Sequence, residues 1–126
     1  MRVFLTGGTG RVGRAAVNRL VEHGLSVTVV GRSQTVDLTG ARYEPCDIED
    51  YDRVDALMRV LDAVVHLAAI PDPVGNPGRA LFRANDLGTF NVYEAAAGHG
   101  ISRVVCASSI NAFGYFFGDR SFHLPY

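Results

Sequence analysis

The chain has 126 residues, of which 48% are hydrophobic, 20% charged and 10% aromatic, the balance of one soluble globular domain able to bury roughly two-thirds of its unfolded surface. Twelve basic against thirteen acidic residues leave a formal net charge of −1, so neither nucleic acid nor an anionic membrane finds an electrostatic footprint here. Every basic residue is an arginine, which excludes any mechanism that needs a lysine from these residues.

In chain order, the first apolar run, residues 3–5, predicts a strand. It follows Met1 with no basic n-region, long apolar core or small-residue cleavage site, so a cytoplasmic location is expected. Residues 11–23 predict a helix: Val12, Ala16 and Leu20 recur at four-residue spacing, Val17 and Val21 widen the stripe, and Gly24 stops it. Strands are expected at 26–30 and 42–46, followed by a helix over 51–60. The run at 63–67 predicts a further strand. The apolar stretch that contains it is interrupted by His66 and falls well short of the roughly 20 residues that span a bilayer. Residues 71–78, with Pro71, Pro73, Pro77, Gly75, Gly78 and Asn76, break both periodicities and predict a loop. A long helix over 79–97 ends at Gly98 and Gly100, and a last strand is expected at 102–106.

The order β-α-β-β-α-β-α-β, with nearly continuous apolar strands, predicts a doubly wound parallel α/β sheet whose strands are buried on both faces between helices. In such a sheet the loop at 71–78 leaves the C-terminal edge of a strand, where ligands bind. Cys46 and Cys106 are the only cysteines, and they read as two buried thiols in a reducing compartment rather than a zinc site or a disulfide framework. The last stretch, residues 110–126, holds Phe113, Tyr115, Phe116, Phe117, Phe122 and Tyr126. A tail so aromatic needs a surface, either the sheet edge or structure outside these residues; five strands where such domains commonly carry six favour the second reading.

Chemistry concentrates in Thr6-Gly7-Gly8-Thr9-Gly10-Arg11-Val12-Gly13, at the end of the first strand and the start of the first helix. Glycines at 7, 10 and 13 permit a tight turn, let backbone approach a pyrophosphate and let the helix pack on the strand, while the helix N-terminus offers unsatisfied N–H groups. With Arg11 and Val12 between them, they form a dinucleotide-binding fingerprint. A P-loop is excluded, because it requires a lysine. A methyltransferase would want an acidic residue after the second strand, and the sequence there is Val30-Gly31-Arg32-Ser33. Arg32 suits the 2′-phosphate of NADP, whereas an acidic residue would bond the 2′-OH of NAD. NADP is therefore favoured over NAD, with Asp37 as the alternative acidic ligand.

The chain resembles the N-terminal part of an extended short-chain dehydrogenase/reductase of the NAD-dependent epimerase/dehydratase family. The resemblance rests on the glycine fingerprint; on Cys46-Asp47-Ile48; on His66-Leu67-Ala68-Ala69; and on Asn85-Asp86-Leu87-Gly88-Thr89-Phe90-Asn91-Val92 followed by Ala107-Ser108-Ser109. It implies a Rossmann-type domain in which Asp47 and Ile48 border the adenine, although Asp47 could instead cap the helix at Tyr51. Leu67, Ala68 and Ala69 would line the cofactor, and Asn85 would support the active-site architecture. Ser109 would be the active-site hydroxyl donating to a substrate oxygen. His66, inside an apolar run, is expected to be a strand residue with a satisfied ring and not a base.

One departure from the family bears on mechanism: these residues contain no Tyr-x-x-x-Lys pair. The expectation is the cofactor-binding part of a truncated enzyme, inactive alone, whose complete form transfers hydride to or from a sugar or nucleotide-sugar carbon. The segment Ser108-Ser109-Ile110-Asn111-Ala112-Phe113-Gly114 is also similar to its counterpart in uronate dehydrogenases, which suggests a free sugar acid as the alternative substrate. A non-catalytic NADP-sensing module is the alternative from a different class. Family members often form homodimers through a helix corresponding to 79–97, where Phe82, Phe90 and Tyr93 are candidates for that surface.

Overall fold

The computed structural model describes residues 1–72 and 74–109, so the aromatic tail at 110–126 lies outside the described residues. Five strands, β1 (Arg2–Thr6), β2 (Ser26–Gly31), β3 (Arg42–Pro45), β4 (Ala63–His66) and β5 (Val104–Cys106), form one parallel sheet in the order β3-β2-β1-β4-β5. The chain starts in the middle, works outward through β2 and β3, then returns across β1 to add β4 and β5 on the other side. In register, Thr6 at the end of β1 sits between Val30 of β2 and His66 of β4. The sheet order reverses between β1 and β4, which opens a crevice above their C-terminal ends.

Alternating side chains send Phe4 and Leu5 to opposite faces, and each is fully buried. Below one face, Phe4, Val30 and Val64 pack with Val54 and Met58 of helix α2 (Tyr51–Met58) and with Val92, Ala95 and Ala96 of helix α4 (Gly88–Gly98). On the other face, Leu5, Val27 and Val29 meet Val17 of helix α1 (Arg11–Glu22) and Leu38. Each of these side chains larger than alanine, taken fully out of water, contributes about 1.5–3 kcal/mol. At the N-terminal edge, Asp62 accepts from the Arg2 backbone N–H at 2.7 Å and from its guanidinium at 2.8 Å, tying the start of β1 to the start of β4. That pairing holds the Asp62 carboxyl down at about 2.

The predicted helix stops have a local cause. Gly24 takes a φ of +74°, the Leu25 N–H returns to the Leu20 carbonyl and the Gly24 N–H to that of Val21; Gly100, with a φ of +68°, ends α4 in the same way. Other expectations need correction. Val12 does not join the buried stripe of α1: it is 68% exposed, because Gly13 and Val17 are the residues that face the sheet. Strand β5 is an edge with Val105 63% exposed, so it is not covered on both faces by the described residues. The helix expected over 79–97 is three joined pieces: α3 (Gly78–Leu81), a π-helical stretch Phe82–Leu87, and α4. The widened turn brings Asn85 to the loop after β4, where its carboxamide takes a hydrogen bond from the Ile70 N–H at 2.7 Å and donates one to the Ile70 carbonyl at 3.0 Å.

Candidate functional site

The turn after β1 is shaped by what its glycines must avoid. Gly7 has a φ of +73°, and a side chain there would press on the backbone of Leu67 and Ala68. A Cβ on Gly13 would drive into the Gly7 carbonyl oxygen, so helix and turn can pack only without it. Gly10 differs. A Cβ there would meet a single protein atom, the Gly7 oxygen at 3.3 Å, and would otherwise point into open space that the residue itself lines. Packing within the protein presses on position 10 through that one tight contact alone, far less than at Gly7 or Gly13, and the residue stands on the cavity surface where a side chain would take space from a ligand.

Gly10 is also the N-cap of α1, and no side chain among the described residues caps that helix, nor does an acidic residue stand in its first turn. The first N–H groups of α1 therefore face the crevice with their positive dipole end unneutralised, an arrangement suited to a phosphate.

A cavity of about 240 Å³ spreads from this turn over the ends of β1 to β4. Gly7, Thr9 and Gly10 form its floor; Val30, Gly31 and Arg32 its flank; Asp47, Ile48 and Glu49 one wall; and Leu67, Ala68, Ala69 and Ile70 the other, with Ala84 nearby. A second, wider hollow of about 400 Å³ shares Arg32, Cys46 and Asp47 with the first and adds Gln34, Pro45, Asp50 and Arg53. Arg32 is exposed at the junction of the two, whereas Asp37 lines neither. Burial pushes the Cys46 thiol, also on the cavity, up to about 11.

Asp47 does not cap α2. Its Oδ1 accepts from the Glu49 N–H at 3.1 Å, and the cap is Asp50, which accepts from the Arg53 N–H. The other Asp47 oxygen is thereby left for a donor in the cavity. On the opposite wall, the Thr6 hydroxyl accepts from the Ala68 N–H at 3.1 Å and lies 2.7 Å from Nδ1 of His66, while Nε2 of His66 lies 2.8 Å from the Thr89 hydroxyl. The His66 ring is buried and satisfied, as expected, and burial lowers its pKa.

Of the residues singled out from the sequence, Gly7, Gly10, Arg32, Asp47, Ile48, Leu67, Ala68 and Ala69 converge on the cavity. Gly13 lies buried beneath it, and the side chains of Arg11 and Val12 are exposed away from it, so their part is limited to helix N–H groups. Asn85 acts one step back, through Ile70. Ser109 is exposed just beyond β5, at the same sheet edge but outside the cavity lining. No sign in the sequence pointed to Glu49, Ile70 and Ala84 on the lining, and Thr6, Thr89 and Asn91 behind it stand within the motifs without a role that the motifs assign. Among the described residues no group of three His, Cys, Asp or Glu side chains could hold a metal ion, and no helix is long and apolar enough to cross a membrane.

The sequence model of the NAD dependent epimerase/dehydratase family matches residues 3–121. A uronate dehydrogenase of Pseudomonas syringae pv. tomato is 31% identical over 117 residues, which cover 91% of this chain and 42% of that protein. Among solved structures, a variant of uronate dehydrogenase from Agrobacterium tumefaciens complexed with NAD superposes with a TM-score of 0.76 at 31% identity, over 86% of this chain and 40% of its own. A UDP-glucose-4-epimerase from Stenotrophomonas maltophila, with bound NAD and formylated UDP-arabinopyranose, gives a TM-score of 0.81 at 27% identity, over 100% of this chain and 40% of its own. The chain thus spans about two-fifths of the length of these relatives.

Proposed function

Because the chain belongs to the NAD-dependent epimerase/dehydratase family, we propose that it is the dinucleotide-binding part of an enzyme that moves hydride between a nicotinamide cofactor and a carbon of a sugar-type substrate. The observation that carries this reading is Gly10: a position on the cavity where a side chain would press on one protein atom only and take up ligand space, at the uncapped start of α1. The N–H groups of that first turn bind the pyrophosphate. Asp47 accepts from the exocyclic amine of adenine, and Ile48 packs on its face. Leu67, Ala68 and Ala69 leave room for the ribose and pyrophosphate, with Asn85 holding the adjoining Ile70 loop in place. A bound nicotinamide dinucleotide supplies the hydride chemistry.

Ser109, at the same edge, donates a hydrogen bond to the substrate oxygen as charge develops on it. A serine hydroxyl does not exchange protons readily at neutral pH, and these residues contain no Tyr-x-x-x-Lys pair to do so. In this reading the chain by itself binds cofactor and does not turn over. Arg32 at the junction of the two hollows favours the 2′-phosphate, hence NADP over NAD. The exposed Phe82, Phe90 and Tyr93 support a homodimer through α4 and the helix leading into it, and the reduced thiols support a cytoplasmic location. A narrower reading, a free sugar acid as substrate, is favoured by the likeness to uronate dehydrogenases.

Titration of the chain with NADH and NADPH, followed by nicotinamide fluorescence, tests the proposal. Saturable binding of either is expected, tighter for NADPH and with that preference lost in Arg32→Ala. Failure to bind both dinucleotides would overturn it.

A further inference from the structure

The wall formed by Asp47, Ile48 and Glu49 is a loop, and it is held from behind by a helix far away in sequence. Asn91 of α4 is buried, and its amide nitrogen donates to two successive carbonyls, Ile48 at 2.9 Å and Glu49 at 3.1 Å. Gly88, one turn earlier, has no Cβ, and one built there would stand 2.6 Å from Cδ1 and Cγ1 of Ile48, so the isoleucine side chain lies directly on the helix backbone. From the π-helical stretch, Arg83 Nε donates to Glu49 Oε2 at 2.6 Å. The Glu49 carboxylate is largely shielded and lines the cavity, whereas the arginine is more than half exposed and stands outside the lining. Asn91 and Gly88 are inner fastenings; the ion pair is the outer one and the only one of the three that solvent and salt reach.

We infer that Arg83 is a positioning residue for the adenine end of the site: by clasping Glu49 from outside the lining it sets the wall that carries Asp47 and Ile48, and so sets affinity for the adenine half of the dinucleotide. This rests on the placement of adenine at Asp47 and Ile48 proposed above. Three features support it. Glu49 is itself on the cavity surface, so any change in its position changes the wall. The Asp47 carboxylate is tied to the Glu49 N–H, so the two residues move together. The same stretch also holds the opposite wall through Asn85 and Ile70, since residues two apart on a helix do not share a face and 83 and 85 reach different walls. Arg83 reaches only the adenine side.

The test is calorimetric binding of AMP and of NADPH to the chain, with wild type measured first. Wild type that binds neither sinks the cofactor reading itself, whereas wild type that binds both isolates the inference. Arg83→Gln and, independently, Glu49→Gln are then expected to weaken AMP and NADPH by the same factor of about five, the scale of one partly exposed ion pair. Raising the salt concentration should weaken wild type toward the variants, and Arg83→Lys should recover most of the loss. Unchanged AMP affinity in both glutamine variants, or a loss that is insensitive to salt and not recovered by lysine, would overturn it.

Discussion

The hydroxyl of Thr6 stands 2.7 Å from Nδ1 of His66, and the same oxygen accepts from the N–H groups of Leu67 at 3.2 Å and Ala68 at 3.1 Å. With both lone pairs engaged, that hydroxyl has only its proton left to offer, so it donates and Nδ1 must accept. His66 is thereby held neutral with its proton on Nε2, which donates to the Thr89 hydroxyl at 2.8 Å. One oxygen at the end of β1 thus joins the glycine turn, the end of β4 and the start of α4.

Protonation of His66 would place a second proton between Nδ1 and the Thr6 hydroxyl and break this chain. Burial already lowers the pKa of the ring. A group whose pKa is lower folded than unfolded contributes stability in full above its unfolded value, about 6.5, and loses it as pH falls through the lower folded value. The melting temperature should therefore be flat above about pH 7 and decline on acidification, with the part of that decline due to His66 absent in His66→Gln. Thr6→Val, which keeps the shape but strips the oxygen, should cost about 1–3 kcal/mol by leaving a buried nitrogen and a backbone N–H unpaired. Thermal melts of the two variants across pH decide both points; a wild-type profile indistinguishable from that of His66→Gln would reject the assignment.

Substitutions at two glycines of the turn should separate folding from binding. Gly13→Ala places a Cβ against the Gly7 carbonyl with no room to yield, and should destabilise the chain by about 1–3 kcal/mol or more. Gly10→Ala meets one atom, the Gly7 oxygen, in a tight contact that a shift of a few tenths of an ångström relieves, and should cost less stability than Gly13→Ala, about 1 kcal/mol, yet abolish dinucleotide binding by filling the phosphate space. Melting temperature and NADPH titration of the pair distinguish these roles. If Gly10→Ala binds as well as wild type, the pyrophosphate does not lie there.

The two cysteines should differ in reactivity. Cys46 is buried on the cavity with its thiol pushed up to about 11, so almost none is thiolate at neutral pH; Cys106, at the exposed end of β5, is half-buried. A thiol reagent at neutral pH should modify Cys106 first, and Cys46 only at the rate at which the chain opens. Mass spectrometry of partly labelled protein reads the order directly, and earlier modification of Cys46 would contradict the described packing.

The five strands and their order with the helices, the glycine turn, the stops at Gly24 and Gly100 and the parallel sheet were all legible in the sequence, because each depends on neighbours a few residues apart: a hydrophobic period, a missing Cβ, a left-handed turn. The candidate lining was legible where a motif carried it, at Gly7, Gly10, Asp47, Ile48 and residues 67–69. Only the tertiary structure decided the rest. No local pattern marks Glu49 as a partner of Arg83, Asn91 as a donor to the loop after β3, or Thr6 as the oxygen that sets the tautomer of His66, since each contact joins residues brought together by the sheet and its crossovers. The π-helical stretch was equally hidden. A single added residue per turn leaves composition and apolar spacing nearly unchanged, and it becomes visible only in the folded backbone, along the stretch from which Asn85 meets Ile70 on one wall and Arg83 meets Glu49 on the other.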